Sequence, residues 1–138
     1  GLTALRAIER VIACDSPANG DGRHLAAFIA VAPFAQQLPP TGEAELDHFL
    51  VTGLNGFLNG VSPDELRPFL GPTTVIHSDN DPLVPQEASR RFAAALSADI
   101  VTVPDAGHFL ASDGVTSLPQ VVQALGRASD RGAGAPGI

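Results

Sequence analysis

The chain has 138 residues, 44% of them hydrophobic and 17% charged, which is the length and composition of one globular domain with a core of its own. Eight basic residues against fifteen acidic ones give a net charge of −7, which argues against nucleic acid or an anionic membrane as partner, since both need a basic surface. The longest apolar run, Leu25 to Phe34, falls short of the roughly 18–20 residues a membrane helix needs, and the single cysteine, Cys14, excludes an internal disulfide, a pattern compatible with the cytoplasm.

The chain opens on Gly1 with no signal-peptide pattern and enters a helical repeat at once. Leu2, Leu5, Ile8 and Ile12 recur at helical spacing, with Arg6, Glu9 and Arg10 on other faces, and predict an amphipathic helix over 1–14. A helix with nothing leading into it suggests a truncated or processed sequence. Cys14, near the end of that helix, reads as a small buried hydrophobe. Turn-formers fill 15–23, and the nearly continuous apolar run over 24–33 predicts a strand buried on both faces.

Pro39-Pro40 then breaks any regular element. Short helices are expected near 43–52 and 63–70, the second with Ser62 as N-cap, Pro63 at its first position and Glu65 completing a capping box. Between them lies Gly53-Leu-Asn-Gly-Phe-Leu-Asn-Gly60, a repeat too short to be architectural. Phe49, Leu54, Phe57 and Phe69 suit a core, or a lid between strands.

β-Branched residues predict strands over 73–78 and 99–103, with a helix over 85–96 between them that carries Phe92 and Leu96 on one face. A last helix over 118–125 is expected, capped by Ser117 with Pro119 in its first turn. The domain is thus taken as residues 1–128, and the Gly-, Ala- and Pro-rich stretch 129–138 as a disordered tail. Strands alternating with helices predict an α/β fold with a parallel sheet. Such sheets bind their ligands at the C-terminal ends of the strands.

Those ends carry the chemistry. Asp79-Asn-Asp-Pro-Leu-Val-Pro85 follows the second strand, and Pro104-Asp-Ala-Gly-His-Phe109 follows the third. Singly, Asp81 before a proline reads as a turn former or helix cap, and His108 as a loop histidine. Together, 27 residues apart on adjacent strand ends, they read as a pair. A histidine can accept and return a proton near neutral pH, and a carboxylate on its other nitrogen fixes tautomer and orientation. Asp79 and Asp105 are rival acids at the same edge. His77 ends a strand and is expected, with Phe109, to line a substrate site. His24, His48 and His77 have no metal-ligand spacing with Cys14 or each other, and no P-loop is present, so neither metal nor cofactor is expected.

The series Asp81-Pro-Leu-Val-Pro85, Gly107-His-Phe109, Gly114 and Leu118-Pro-Gln-Val-Val122 resembles the C-terminal third of small serine hydrolases of the YdeN type, a group that includes the retinoblastoma-binding serine hydrolases. A fainter resemblance runs through residues 1–40. It implies the C-terminal portion of an α/β-hydrolase fold, with the N-terminal half absent. In such enzymes the triad runs nucleophile, acid, histidine along the chain. The resemblance makes Asp81 the acid and His108 the base. It puts the nucleophile in a G-x-S-x-G turn just before the helix that begins at Gly1.

No G-x-S-x-G occurs within the 138 residues, and Ser78, Ser112 and Ser117 sit on no strand-to-helix elbow. The expectation is therefore an esterase-like parent acting on a small ester or amide, and an inactive fragment. Related hydrolases place Asp or Cys at the nucleophile position, and that choice stays open. A non-catalytic binding protein of the same fold is the alternative. The strand over 24–33, deprived of a neighbour, would leave an edge for oligomerisation.

Overall fold

The computed structural model describes residues 2–14, 25–58, 60 and 62–133. The loop expected over 15–23, His24, and the side chains of Cys14 and Phe57 lie outside the described residues. Helix α1 (Leu2–Cys14) comes first, followed by strand β1 (Phe28–Val31). A helical arm follows, made of α2 (Ala44–Phe49), a π turn (Leu50–Leu54) and α3 (Asn55–Leu58). Helix α4 (Pro63–Leu66) leads to β2 (Thr73–Ser78), α5 (Gln86–Leu96), β3 (Asp99–Val103) and α6 (Pro119–Ala133).

The three strands form one parallel sheet in the order β1-β2-β3. The fold is therefore α/β, and β2 is its centre, which is why Thr74 through Ser78 are all buried. On one face Phe28 and Ala30 of β1 and Val75 of β2 join Leu5 of α1, Leu66 of α4 and Phe92, Ala93 and Leu96 of α5 in the main core. Helix α6 covers β1 and β2, with Ala124 and Ala128 buried. Ala at both positions lets the helix lie close to the sheet.

Strand β1 is shorter than the 24–33 expected, for backbone reasons. The Leu25 amide donates to the carbonyl of Phe69 at 3.0 Å and so lies outside the ladder. At the other end Ala32 turns to φ 44°, and Pro33 has no N–H to offer. Burial on both faces is also not observed: Phe28 and Ala30 are buried, but Val31 is 37% exposed. Gly71 is required where β1 and β2 begin, because a Cβ there would stand 2.3 Å from the carbonyl oxygen of Leu25.

Other boundaries move for identifiable causes. Ser62 holds the cap position of α4 without a side-chain bond, so the expected capping box does not form. Pro68 cannot donate to the α-helical ladder, and the chain tightens after Leu66 into a 3-10 turn over Arg67–Phe69. In the arm, the π turn carries the chain through Gly53, where a Cβ would press on the Phe49 ring at 2.9 Å. Phe49 is 56% exposed, which removes it from the expected core, while Leu54 and Phe69 are half-buried.

Helix α6 runs past the tail boundary expected at Ser129. Arg131 pairs with Asp99 at the start of β3 at 2.7 Å, and Ala128 is buried, so the turn beyond Ser129 has something to hold. Because Pro119 is its first residue, Leu118 rather than Ser117 stands at the cap position. Among the described residues no helix is long and apolar enough to cross a membrane.

Candidate active site

Parallel pairing brings the ends of β2 and β3 side by side: His77 is in register with Thr102, and Ser78 with Val103. The loops that follow, 79–85 and 104–114, are therefore neighbours, and hydrogen bonds stitch them together. Ser78 Oγ donates to Asn80 Oδ1 at 2.7 Å and accepts from the Ala106 amide at 3.1 Å. Asn80 Oδ1 also accepts from the Gly107 amide at 2.8 Å, and Asp79 Oδ1 accepts from the Asp105 amide at 2.9 Å.

Across this seam His108 Nδ1 meets Asp81 Oδ2 at 2.9 Å. The Asp81 side chain is 2% exposed and the His108 side chain 30%. The other Asp81 oxygen, Oδ1, accepts from the amides of Leu83 at 2.8 Å and Val84 at 2.9 Å. Asp81 thus shapes the turn before α5 with one oxygen and holds the imidazole with the other. A carboxylate oxygen facing Nδ1 makes that nitrogen the N–H donor. In the neutral ring the lone pair is then on Nε2, which has no hydrogen-bond partner among the described residues. The ring's partial exposure leaves that nitrogen open to a reacting group.

The His108 loop is bent hard to achieve this. Asp105, Gly107 and Phe109 have φ of 53°, 52° and 60°. A left-handed conformation at a residue as bulky as Phe109 stores strain, of the kind that collects at functional sites. Asp113 holds the bend: its Oδ2 accepts from the amides of His108 at 2.9 Å and Leu110 at 3.1 Å. Its carboxylate fills the space beside Gly107, where a Cβ would come within 2.5 Å of Asp113 Cγ.

Of the residues singled out in the sequence, the structure brings Asp81 and His108 together and places Phe109, half-buried, next to them. His77 is not brought there. It is 2% exposed, with Nε2 at 3.0 Å from Thr102 Oγ1 and Nδ1 at 3.2 Å from the carbonyl of Ser78, so both ring nitrogens are engaged within the protein. The alternation of strand side chains explains this: His77 shares a face with Val75, beneath the core helices, instead of pointing off the strand end. The rival acids Asp79 and Asp105 are bonded to each other's loop and make no hydrogen bond to His108. Ser78 is buried with its hydroxyl both donating and accepting, which leaves no free nucleophile there.

Two residues that shape the site carried no sequence signal of their own. Asn80 lies in a turn-forming stretch where any polar residue is unremarkable. Asp113 acts on amides three and five residues away through a bend that no periodicity announces. Among the described residues no group of three His, Cys, Asp or Glu side chains is placed to hold a metal ion.

Comparison with known proteins gives one family and one fold. A family model described as serine hydrolase matches residues 10–127, a span that includes Asp81 and His108. Among solved structures, the crystal structure of the ydeN gene product from B. subtilis is similar, with a TM-score of 0.71 and 25% sequence identity. That match covers 94% of this chain and 62% of the length of the other. No curated protein matches the chain.

Proposed function

The chain belongs to the serine hydrolase family, and from that premise we propose that Asp81 and His108 are the acid and the base of a hydrolytic triad whose nucleophile is not among these 138 residues. The observation that carries the proposal is the 2.9 Å bond from His108 Nδ1 to a buried Asp81 carboxylate, with Nε2 left open. In the proposed reaction Nε2 takes the proton of a serine hydroxyl as its oxygen attacks a substrate carbonyl. The resulting imidazolium is stabilised by Asp81 and returns the proton to the departing alcohol or amine. Water then enters by the same route, donating its proton to Nε2 as it releases the acid and restores the serine. Phe109, beside the base, is the proposed wall for a small ester or amide.

The 138 residues are proposed to be inactive by themselves, since they contain no G-x-S-x-G. A second reading is a binding protein that keeps the fold without turnover. Strand β1 pairs only with β2 among the described residues, and an open strand edge with Val31 exposed supports self-association or a complementing strand. The test is hydrolysis of p-nitrophenyl acetate together with labelling by a fluorophosphonate. The 138-residue chain is expected to show neither, because loss of the nucleophile costs about 10⁶ in rate in the well-studied subtilisin case. Turnover or labelling that disappears in His108→Ala would place the nucleophile within the chain and overturn the proposal.

A further inference from the structure

The backbone around His108 forms an anion site that the protein fills for itself. Gly107 and Phe109 have φ of 52° and 60°, while His108 between them is not left-handed. Such alternation of hand turns N–H groups toward a common point, a concavity that suits an anion. Here the amides of His108 and Leu110 both donate to one oxygen, Asp113 Oδ2, at 2.9 and 3.1 Å. The amide between them, that of Phe109, turns away to the carbonyl of Ala106 at 2.9 Å. Upstream, the Ala106 and Gly107 amides are pinned to Ser78 Oγ and Asn80 Oδ1. The Asp113 carboxylate supplies the matching hold on the downstream side.

We propose that Asp113 is a positioning residue for His108: its carboxylate, seated in this nest of amides, keeps the strained turn and so keeps Nδ1 on Asp81. It acts through the backbone, and its place in the reaction rests on the pair of Asp81 and His108 proposed above. The direction in which a side chain leaves its Cα is set by the peptide units that flank it. One Asp113 oxygen holds the peptide before His108 and the peptide that follows Phe109. Left-handed backbone at a bulky residue is costly and persists only where its surroundings enforce it. Loss of the anion lets Phe109 relax, which rotates the peptide between it and His108 and carries the imidazole off Asp81. The charge matters as well as the oxygen, because a hydrogen bond to a carboxylate is roughly twice as strong as a neutral one. Asp113 is exposed, so a dissolved anion can reach the nest once the side chain is removed.

The experiment is ¹⁵N NMR of the neutral His108 ring in the 138-residue chain, read as the ratio of Nδ1-protonated to Nε2-protonated forms. Asp113→Ala should lower that ratio about tenfold, the worth of one hydrogen bond. Formate, which returns the carboxylate without the chain, should restore the ratio in a saturable way, and formamide should not. Leu66→Ala gives the comparison for a merely structural role. Leu66 is buried in the main core, and its neighbour Arg67 bonds to Ser97 at the far end of α5, away from the loops that carry the site. That variant should lower the denaturation midpoint and leave the ratio where it was. An unchanged ratio in Asp113→Ala, a ratio that formate leaves low, or an equal fall in Leu66→Ala overturns the proposal. An unsubstituted chain whose neutral ring already carries its proton on Nε2 marks the failure of the acid–base pair instead.

Discussion

The loops after β2 and β3 and the helical arm between β1 and β2 are both polar excursions from the same sheet, yet they are held in opposite ways. In the loops, Asp79, Ser78, Asn80 and Asp81 each bond to a residue 26 to 28 positions away, and the partners' amides and ring are fixed by several bonds at once. In the arm the bonds are local. Asp47 accepts from Thr41 and Gly42, Thr52 donates to the carbonyl of His48, and neither α2 nor the π turn buries a residue. Precision at His108 therefore comes from cross-linking two strand ends, whereas the side-chain hydrogen bonds described for the arm run between near neighbours in sequence. A base that must hold one orientation needs the first kind of construction.

Breaking the cross-link should have the largest effect. Asp81→Ala removes two turn bonds and the partner of His108, and is expected to lower stability by about 3 kcal/mol, at roughly 1 kcal/mol for each bond lost. Chemical denaturation measures it; a loss under about 1 kcal/mol would mean that the loops are held elsewhere. Gly107→Ala comes next. It forces a side chain into left-handed backbone and onto the Asp113 carboxylate, which should cost about 2–3 kcal/mol. The same substitution should sharpen exchange of the His108 and Leu110 amides, since both depend on Asp113.

The arm should respond weakly and to acid. The backbone N–H of Thr41, then its hydroxyl, holds the Asp47 carboxyl below its ordinary value. A lowered folded value means the stabilisation is complete above the unfolded value of about 3.9 and is lost as pH falls through the lower folded one. The protection of the Thr41 amide, relative to its intrinsic exchange rate, is thus expected to fall below about pH 4, with the loops around His108 unaffected by Asp47→Asn. Acid loosening of both regions together would erase the contrast between them.

The sequence carried the strands and the pair but not the cross-link. Thr73–Ser78 and Asp99–Val103 were legible because β-branched runs announce themselves. Asp81 and His108 were legible because each follows such a run. His77 was misplaced because Thr74 to Ser78 of the central strand are all buried, so a place near the strand's end did not bring its side chain to the open edge of the site. The capping box failed at Ser62, which caps α4 without a side-chain bond, and the helix expected to Leu70 ended early because its pattern was blind to Pro68. Asn80 and Asp113 were invisible, since their bonds depend on which segments the fold makes neighbours. The extent of α6 likewise rests on a distant partner, Asp99.

The central claim is that Asp81 fixes His108 with its proton on Nδ1 and a bare Nε2 ready to act as a base. ¹⁵N NMR of the His108 ring in the neutral state tests it directly. A protonated Nδ1 coupled to the Asp81 carboxylate and an unprotonated Nε2 are expected, with that preference lost in Asp81→Ala. A neutral ring protonated on Nε2, or one indifferent to Asp81, would contradict it.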